Sequence, residues 1–264
     1  MPEGDTIFKL AAFLAPALSG RKIISGFAQA KPTTDLAGLA VRNVSPRGKH
    51  LFIAFDNGQL LRNHLGMWGS WHSYKPTERW LRPRSRASIV IDIGDRVYVC
   101  FNALQVEILR AGGIRNRQLF ATLGPDLLKP DIEITAIPPR ARRLCSAQTL
   151  VADVLLDQKV ACGIGNVYKS ETLFLEQTHP MTQLGLIEDA KLIALYARAA
   201  DLLNANTRGG PRITRRAGND AGHLWVYGRT AQPCWQCDRP IAAKMLGVAQ
   251  RSTFWCPACQ PPQR

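Results

Sequence analysis

Four cysteines near the end of the chain limit its possible folds more than any other sequence feature. They form two pairs, Cys234 with Cys237 and Cys256 with Cys259, and eighteen residues separate the pairs. Four thiolates suit a tetrahedral Zn²⁺, and the interval is long enough for a β-hairpin that folds over the ion. We therefore predict one structural zinc in a C-terminal finger, because four thiolates leave no open position for catalysis. Such a finger either binds nucleic acid or only stabilises a small domain.

The other three cysteines, Cys100, Cys145 and Cys162, are scattered among mostly apolar neighbours. An odd total of seven, with four in a metal-like spacing, argues against a disulfide framework. The pattern instead indicates a reducing compartment. No apolar run reaches the roughly 18 residues of a membrane span, and no signal-peptide pattern is recognisable at the N-terminus. We therefore expect an intracellular protein that does not cross a membrane.

The charge balance of the chain indicates what kind of partner it binds. A formal net charge of +14 at pH 7 favours a polyanion. Nucleic acid is the first candidate and an anionic membrane is the second. No basic amphipathic helix stands out in the sequence, which argues against the membrane.

Residues 1–120 consist mainly of short apolar segments between turns, which predicts a β-sandwich with one helix packed on it. That helix is expected over residues 5–19, with Gly20 at its end. Asp56-Asn57-Gly58 separates two candidate strands and predicts a hairpin with a type I′ turn. The predicted strands are 22–27, 39–44, 50–55, 60–64, 88–93, 96–101 and 104–109.

Four prolines between positions 125 and 139 predict a connection between domains. Beyond it the apolar residues recur with the period of helices, near 150–155, at 166–177 and at 192–203. A glycine- and arginine-rich stretch at 207–222 is expected to be a loop. The predicted α+β fold therefore has an N-terminal β-sandwich domain at 1–120, a linker at 121–145, a helical domain at 146–222 and a zinc finger at 223–264.

The segment from Asp157 to Asn166 contains two glycines where one predicted helix ends and another begins. Asn166 can cap the second helix, and the backbone N–H groups at a helix start attract phosphate. The alternative is an ordinary corner between two helices, in which the glycines serve only close packing.

Two turns in the first domain contain further candidate binding residues. Lys49 lies where a predicted strand begins, either as a cation in a cleft or as an ordinary surface lysine. Met67 follows His64 in a glycine-rich turn, and it is either a wedge for a stack of bases or filling for the core.

Pro2 is a candidate nucleophile if Met1 is removed, because its nitrogen is then a free secondary amine. An α-amino group has an ordinary pKa of about 8, so a useful fraction is uncharged near neutral pH. Such an amine can attack a carbonyl carbon or the C1′ carbon of a sugar and form an iminium ion. Glu3 and Asp5 add two carboxylates close to it in the sequence. The alternative is a frayed chain end in which the proline has no role.

These motifs occur together, and in this order, in one known family. The chain resembles the bacterial formamidopyrimidine-DNA glycosylase / endonuclease VIII family of base-excision repair enzymes, over essentially its whole length. Its first residues, Pro2-Glu3-Gly4-Asp5-Thr6, are similar to the endonuclease VIII branch. The other similar segments are Arg47-Gly48-Lys49-His50-Leu51, Leu156-Asp157-Gln158, Gly163-Ile164-Gly165-Asn166-Val167-Tyr168, Tyr227-Gly228-Arg229 and Gln250-Arg251-Ser252-Thr253-Phe254-Trp255-Cys256.

The resemblance implies a bifunctional DNA glycosylase and abasic-site lyase that acts on damaged double-stranded DNA. Its fold would be an N-terminal β-sandwich with flanking helices, a helix–two-turn–helix domain and a zinc-finger hairpin, with DNA across the cleft between the two halves. The target nucleotide would be flipped out of the stack, as chemistry on a duplex base requires. The resemblance also implies one structural zinc, no organic cofactor, no membrane association, a monomer, and a cytoplasmic, nucleoid-associated location in a bacterium.

The residue roles that the resemblance implies begin at the N-terminus. Pro2 would attack C1′ of the damaged nucleotide, Glu3 would transfer protons at the sugar, and β- and δ-elimination would then cut the strand. Lys49 would contact a phosphate beside the lesion and stabilise charge, which makes it the third catalytic residue. The implied DNA contacts are Lys49, His64, Met67, Asn166 and Arg251.

Two departures from the family pattern bear on the substrate. The formamidopyrimidine branch has an Arg-Arg-Phe-Gly element that enters the helix opposite the lesion, whereas residues 106–112 here contain no aromatic wedge. Met67, however, resembles that branch, because the endonuclease VIII pattern has Gln-Leu-Tyr there. We expect oxidised pyrimidines as substrates. The alternatives are a formamidopyrimidine or 8-oxoguanine preference, a non-catalytic binder of damaged DNA, and an unrelated zinc-ribbon transcription module, which would leave the N-terminus unexplained.

Overall fold

The computed structural model describes residues 1–216 and 222–262. The chain forms two compact units, the first from Met1 to Thr122 and the second from Leu123 onward. Residues 217–221 of the predicted loop at 207–222 lie outside the described residues. The finer division into a linker, a helical domain and a finger stays a prediction.

The first unit contains two antiparallel sheets and two helices. One sheet has the strand order β2-β1-β7-β8-β6 and the other has the order β3-β4-β5-β9. In chain order the elements are α1 (Gly4–Leu18), β1 (Ser25–Ala28), β2 (Thr34–Asp35), β3 (Val41–Arg47), β4 (His50–Phe55), β5 (Gln59–His64), β6 (Ser70–Tyr74), β7 (Ala87–Asp92), β8 (Val97–Phe101), β9 (Gln105–Arg110) and α2 (Ile114–Thr122).

The two sheets face each other across an apolar core, which confirms the predicted sandwich. Leu51 and Ile53 of β4 belong to the same buried cluster as Ile89 and Ile91 of β7. Alternation of apolar residues along these strands directs one face of each sheet inward.

Helix α1 packs on the edge of this core, along strand β3. After the helix ends, the backbone N–H of Gly20 donates to the carbonyl of Val41, the first residue of β3, at 2.8 Å. Fifteen helical residues and seven strand residues each span about 23 Å, so the N-terminus of α1 lies toward Arg47 at the far end of β3. The buried face of α1 consists of Ile7, Ala11, Leu14 and Leu18.

The hairpin at Asp56-Asn57-Gly58 is present, but the predicted type I′ turn is wrong. Of the two residues Asn57 and Gly58, Gly58 alone has a positive φ, of 78°. Strands β4 and β5 pair Ala54 with Leu60, and the N–H of Gly58 donates to the carbonyl of Phe55 at 3.3 Å. This is the longer hairpin loop in which a single left-handed residue closes the turn.

The second unit is mainly helical and ends in a two-stranded hairpin. One apolar cluster of its core includes Ile137, Val154, Tyr168 and Leu195, and a separate cluster contains Phe174 and Val226. No helix in residues 1–216 and 222–262 is both long and apolar enough to cross a bilayer. The elements are α3 (Ile137–Leu144), α4 (Val151–Leu156), α5 (Asn166–Leu175), α6 (Asp189–Ala205), β10 (Ala242–Leu246) and β11 (Arg251–Trp255).

Four of the named elements were not expected from the sequence: the two-residue strand β2, strand β6, and helices α2 and α3. Strand β6 has no apolar alternation, and helix α2 buries none of its side chains, so neither leaves a periodic signal. Helix α3 lies in the stretch predicted to be a linker, and it begins at the prolines that suggested one. Pro138 and Pro139 lie in its first turn, where a helix needs no N–H donor.

Candidate active site and metal centre

The N-terminus of α1 contains two buried carboxylates. Glu3 precedes the first helical residue and its side chain is fully buried, while its carbonyl accepts from the N–H groups of Thr6 and Ile7 at 3.0 and 3.1 Å. Asp5 is buried as well, and its carboxylate lies 3.8 Å from the ammonium of Lys9. The positive end of a helix dipole favours negative charge at both positions. Pro2, directly before Glu3, is half-buried.

Lys49 lies in the two-residue turn between β3 and β4. Arg47 pairs with His50 across this turn, which leaves only Gly48 and Lys49 between the strands. The guanidinium of Arg47 lies 4.6 Å from the ring centre of Phe120 and donates to its carbonyl at 3.1 Å. Lys49 is half-buried, so it is neither a core residue nor a fully solvated surface lysine.

Two histidines flank the Lys49 turn on adjacent strands. His50 and His64 are paired across β4 and β5, and their ring centres are 4.9 Å apart. Burial lowers the pKa of His50 to about 3, helped by the charges of Arg62, His64 and Lys49. Burial, with Lys49 and Arg62, lowers the pKa of His64 to about 4. His64 is therefore neutral near pH 7, which suits its Nδ1 as the acceptor of the Gly66 N–H at 3.2 Å.

A charged network that the sequence interpretation missed supports His50. Arg62 donates from Nε to Nδ1 of His50 at 3.3 Å and pairs with Glu107 at 2.6 Å. Arg115 binds the other oxygen of Glu107 at 2.5 Å. Burial raises the pKa of Glu107, but the hydrogen bonds from Arg115 and Arg62 hold it below its ordinary value. Opposite charges in register on β5 and β9 are the signal that could have identified this pair.

The turn after β5 presents apolar side chains to solvent. Met67 is 52% exposed and Trp68 is 74% exposed. Leu104, in the loop between β8 and β9, is 67% exposed, and its N–H donates to the carbonyl of His64 at 3.0 Å. Met67 is therefore not core filling, although contact with DNA stays a prediction.

In the second unit, Asn166 joins helix α5 to the finger hairpin. Gly165 is the N-cap of α5 and Asn166 is the first helical residue, so the predicted capping role of Asn166 is wrong. Its side-chain Nδ2 lies 2.6 Å from the carbonyl oxygen of Ser252 and 3.1 Å from the Ser252 hydroxyl. The buried ammonium of Lys169 donates to Oδ1 of Asn166 at 2.6 Å and to the hydroxyl of Thr253 at 2.7 Å.

A second buried charge on α5 secures the chain that leads into the finger. The carboxylate of Glu171 accepts from the backbone N–H groups of Trp225, Val226 and Tyr227 at 2.7, 2.9 and 2.8 Å, and from the hydroxyl of Thr214. Burial raises the pKa of Glu171, and these four donors oppose that rise. No sequence pattern points to this site, because the backbone supplies most of its donors.

Arg251 is exposed at the start of β11, where it pairs with Leu246 across the finger hairpin. The tip of this hairpin meets helix α4, because a Cβ atom on Gly247 would collide with the carboxylate of Asp153. The position therefore requires glycine, and the contact fixes the hairpin that carries Arg251.

The four cysteines converge, as their spacing predicted. Their sulfur atoms all lie within 4.8 Å of one another. The separations are 3.9 Å for Cys234–Cys259, 3.4 Å for Cys237–Cys256 and 3.5 Å for Cys237–Cys259. Zn–S bonds of about 2.3 Å put the sulfurs of a tetrahedral site roughly 3.8 Å apart. The cluster therefore has the size and the donor set of a tetrathiolate zinc site.

The candidate residues are divided between the two units. The first unit contains the candidate catalytic residues and the neighbouring turns, and the second contains the helix start, the finger hairpin and the cysteines. The first group is Pro2, Glu3, Lys49, His64 and Met67, and the second is Asn166, Arg251, Cys234, Cys237, Cys256 and Cys259.

Two family models match the chain. The formamidopyrimidine-DNA glycosylase N-terminal domain matches residues 1–104, and the formamidopyrimidine-DNA glycosylase H2TH domain matches residues 123–216. The chain is 37% identical to the "Probable endonuclease 8 2" of Streptomyces coelicolor, over 98% of this chain and 94% of that protein. It is 35% identical to the "DNA-(apurinic or apyrimidinic site) lyase Nei2" of Mycolicibacterium smegmatis, over 98% and 99%.

Solved structures share the fold at lower sequence identity. The Lactococcus lactis formamidopyrimidine-DNA glycosylase bound to DNA containing an abasic site has a TM-score of 0.81 and 22% identity, covering 98% of this chain and all of that one. The same enzyme with DNA containing an N7-benzyl formamidopyrimidine has a TM-score of 0.82, also at 22% identity, covering 99% of this chain and all of that one.

Proposed function

The chain belongs to the formamidopyrimidine-DNA glycosylase and endonuclease VIII family, and we propose that it is a bifunctional DNA glycosylase and abasic-site lyase. Its substrate is an oxidised pyrimidine in duplex DNA. The two relatives of highest identity described above are named for endonuclease 8 and for lyase activity on apurinic or apyrimidinic sites. We further propose, from the family resemblance, that the chain acts as a monomer on nucleoid DNA in the cytoplasm.

The start of α1 supports this function most directly, because a half-buried proline directly precedes a fully buried carboxylate there. After loss of Met1, the amine of Pro2 attacks C1′ of the target nucleotide while the bond from C1′ to the base breaks. The departing base takes a proton and the Pro2 nitrogen loses one. The C1′–O4′ bond of the sugar ring then breaks as O4′ takes a proton, which leaves an iminium ion between Pro2 and C1′. Glu3 acts as the acid and base of these transfers.

The iminium then promotes strand cleavage. It withdraws electrons from C1′, so a proton is lost from C2′ and the 3′ phosphate leaves in β-elimination. A second elimination releases the 5′ phosphate. Lys49 stabilises the phosphate charge beside the sugar, and the packing of α1 along β3 supports its proximity to the N-terminus. Asn166 and Arg251 bind flanking phosphates from the second unit, through the first turn of α5 and the finger hairpin.

Zinc is the proposed metal of the cysteine cluster. Four thiolates at the observed separations match its tetrahedral preference and leave no open coordination position, so the ion holds the finger and takes no part in the reaction. The chemistry at C1′ needs no organic cofactor, because the iminium itself is the electron sink.

The substrate preference rests on the segment that forms strand β9. Residues 106–110, which lack an aromatic wedge, lie within strand β9, and Val106 and Ile108 pack against the sandwich core. This segment therefore does not project as an intercalating element. Exposed Met67 favours the alternative, a preference for formamidopyrimidine or 8-oxoguanine.

Borohydride trapping tests the proposed nucleophile. Reduction in the presence of damaged duplex DNA should leave a covalent adduct on the peptide that begins at Pro2. An adduct on an internal lysine, or the absence of any adduct, would refute this assignment.

The variant Glu3→Gln tests the proposed acid–base role. It should abolish base release and keep most DNA binding, whereas Asp5→Asn, which changes the other buried acid of this turn, should retain excision. Excision rates on thymine glycol, dihydrouracil, formamidopyrimidine and 8-oxoguanine, each opposite defined bases, decide the substrate class.

A further inference from the structure

A cleft in the first unit, distinct from the start of α1, combines an exposed aromatic ring with arginines. Its volume is about 700 Å³, which is in the range of small-molecule sites. We call it the Trp68 cleft. Its lining residues are Leu65, Met67, Trp68, Arg82, Pro83, Arg86, Asn102, Ala103 and Leu104.

The arginines of this cleft belong to an unusually basic segment between β6 and β7. Residues 79–86 read Arg-Trp-Leu-Arg-Pro-Arg-Ser-Arg, with four arginines in eight positions. Arg84 stacks on Trp80, 4.8 Å from its ring centre, and therefore faces away from the cleft lining. Arg82 and Arg86 line the cleft. Such a charge concentration on an exposed segment is complementary to phosphate.

The basic segment is held in place by aromatic packing. Trp80 stacks on Tyr74, with ring centres 6.0 Å apart, and meets Phe101 edge-on at 5.9 Å. The N–H of Leu81 donates to the Tyr74 hydroxyl at 3.1 Å. The backbone directly before Arg82 is therefore held in place, which lowers the cost of ordering this segment when a ligand binds.

Backbone hydrogen bonds fix the other walls of the cleft. The N–H of Asn102 donates to the carbonyl of Arg86 at 3.0 Å, and the N–H of Gly69 closes the Trp68 turn on Leu65 at 3.0 Å. The Trp68 indole is nonetheless 74% exposed. A flat apolar ring that stays in water beside two guanidinium groups is the combination that binds a base and its phosphate.

We propose that the Trp68 cleft binds an unpaired nucleotide of DNA, with the base stacked on Trp68 and the phosphate paired with Arg82 and Arg86. The choice of DNA as the polymer rests on the proposed function. Flipping of the target nucleotide leaves one base of the duplex without a partner, and a single-stranded segment offers the same chemistry. The cleft is separate from the groups that make and break bonds, so it affects binding and not the reaction at C1′.

The test uses the full chain and 2-aminopurine, whose fluorescence falls when the base stacks. One probe is a duplex with 2-aminopurine opposite a tetrahydrofuran abasic-site analogue, and the other is a single strand that contains 2-aminopurine. Wild-type protein should quench the probe. Trp68→Ala should abolish the quenching and raise Kd roughly tenfold, while Trp68→Phe should keep most of both effects.

The phosphate contacts are tested by salt dependence. The double substitution Arg82→Gln with Arg86→Gln should lower the slope of log K against log salt by about two. The matched control, Arg42→Gln with Arg96→Gln, removes two exposed arginines of the same unit and should leave the slope unchanged. Arg42 lies at the end of β3 away from Lys49.

These experiments test the cleft proposal independently of the proposed catalytic function. Quenching of the duplex probe alone identifies the occupant as the base opposite the lesion, and quenching of both identifies any unpaired nucleotide. Unchanged quenching and Kd in Trp68→Ala, or no binding of either probe, overturns the proposal. If borohydride traps the protein on DNA while Trp68→Ala has no effect, the cleft proposal fails and the proposed function stands. If the protein quenches the probe through Trp68 but borohydride traps no adduct, the cleft proposal stands and the proposed function fails.

Discussion

The side-chain amide of Asn166 lies 2.6 Å from the carbonyl oxygen of Ser252 and 3.1 Å from the hydroxyl of the same residue. Both N–H groups of the amide are therefore used within the protein. The contact fixes the first turn of α5 against strand β11, one residue from Arg251. Asn166 consequently helps to position the hairpin that carries Arg251.

Replacement of Asn166 by alanine is expected to destabilise the second unit. Ser252 and the buried Lys169 ammonium each lose a partner, so the free energy of unfolding should fall by about 1–3 kcal/mol, measured by urea denaturation. Asn204→Ala is the control, because that amide only bonds to the carbonyl of Ala200 on its own helix. Weaker DNA binding with unchanged stability would mean that Asn166 acts only as a phosphate ligand.

Arg251→Ala is expected to weaken DNA binding without loss of stability, because the side chain is exposed at the start of β11. The slope of log K against log salt should decrease by about one, as for the loss of one phosphate contact. Arg239→Ala removes another exposed arginine of the same finger and should leave the slope unchanged. Equal slopes for all three proteins would exclude the contact.

Glu171→Gln is expected to lower the free energy of unfolding by about 2–4 kcal/mol. The carboxylate accepts from three consecutive backbone N–H groups and one hydroxyl, whereas an amide would direct its own donors at some of them. Glu176→Gln is the matched control, because Glu176 pairs with the partly exposed side chains of Lys191 and Arg198. Its loss should stay below about 1 kcal/mol, and equal losses would contradict the role of Glu171.

The stability of the first unit should depend on pH through His50 and His64. Their pKa values of about 3 and about 4 keep both rings neutral in the folded protein, while unfolded histidines take up protons below pH 6.5. The unfolded state therefore binds more protons between pH 6.5 and 4, and the free energy of unfolding falls as the pH drops through this window. His50→Gln should reduce that decline in urea titrations at pH 7 and 5. An identical decline would show that other groups cause it.

Metal analysis of the purified protein should find one zinc per chain. Because the four thiolates are the proposed ligands, Cys256→Ser should lose the metal and lower the melting temperature. Cys145→Ser should retain one zinc, since Cys145 lies outside the cluster. Retention of zinc by the Cys256 variant would exclude the assignment.

Patterns that depend on neighbouring residues were readable from the sequence. The spacing of Cys234 and Cys237, the existence of helix α1 and the strand that begins at His50 are all local, and the structure contains each of them. Contacts made by the backbone or across long sequence distances were not readable. The pairing of Arg62 with Glu107 depends on the register of two strands, and the Glu171 site depends on the return of residues 225–227 to helix α5. No short segment of the sequence contains either relationship.

Helix α3 shows why composition can mislead. Its two prolines suggested a linker, yet proline is compatible with the first turn of a helix, and only the burial of Ile137 and Ala141 distinguishes the two interpretations. Trp68 and Arg82 escaped notice for a related reason. Neither belongs to a recognisable motif, and only the folded chain brings residues of three separate loops around one cleft.

The contact between Asn166 and Ser252 joins positions 86 apart in the chain. Closing so long a loop costs conformational entropy, which is offset only when the hairpin has docked against α5. Contacts of high sequence separation also slow folding. The helices of the second unit can assemble from local contacts before the hairpin docks. A nascent chain would therefore complete its helical core first. The finger hairpin would dock against α5 only after residues 242–255 have been synthesised.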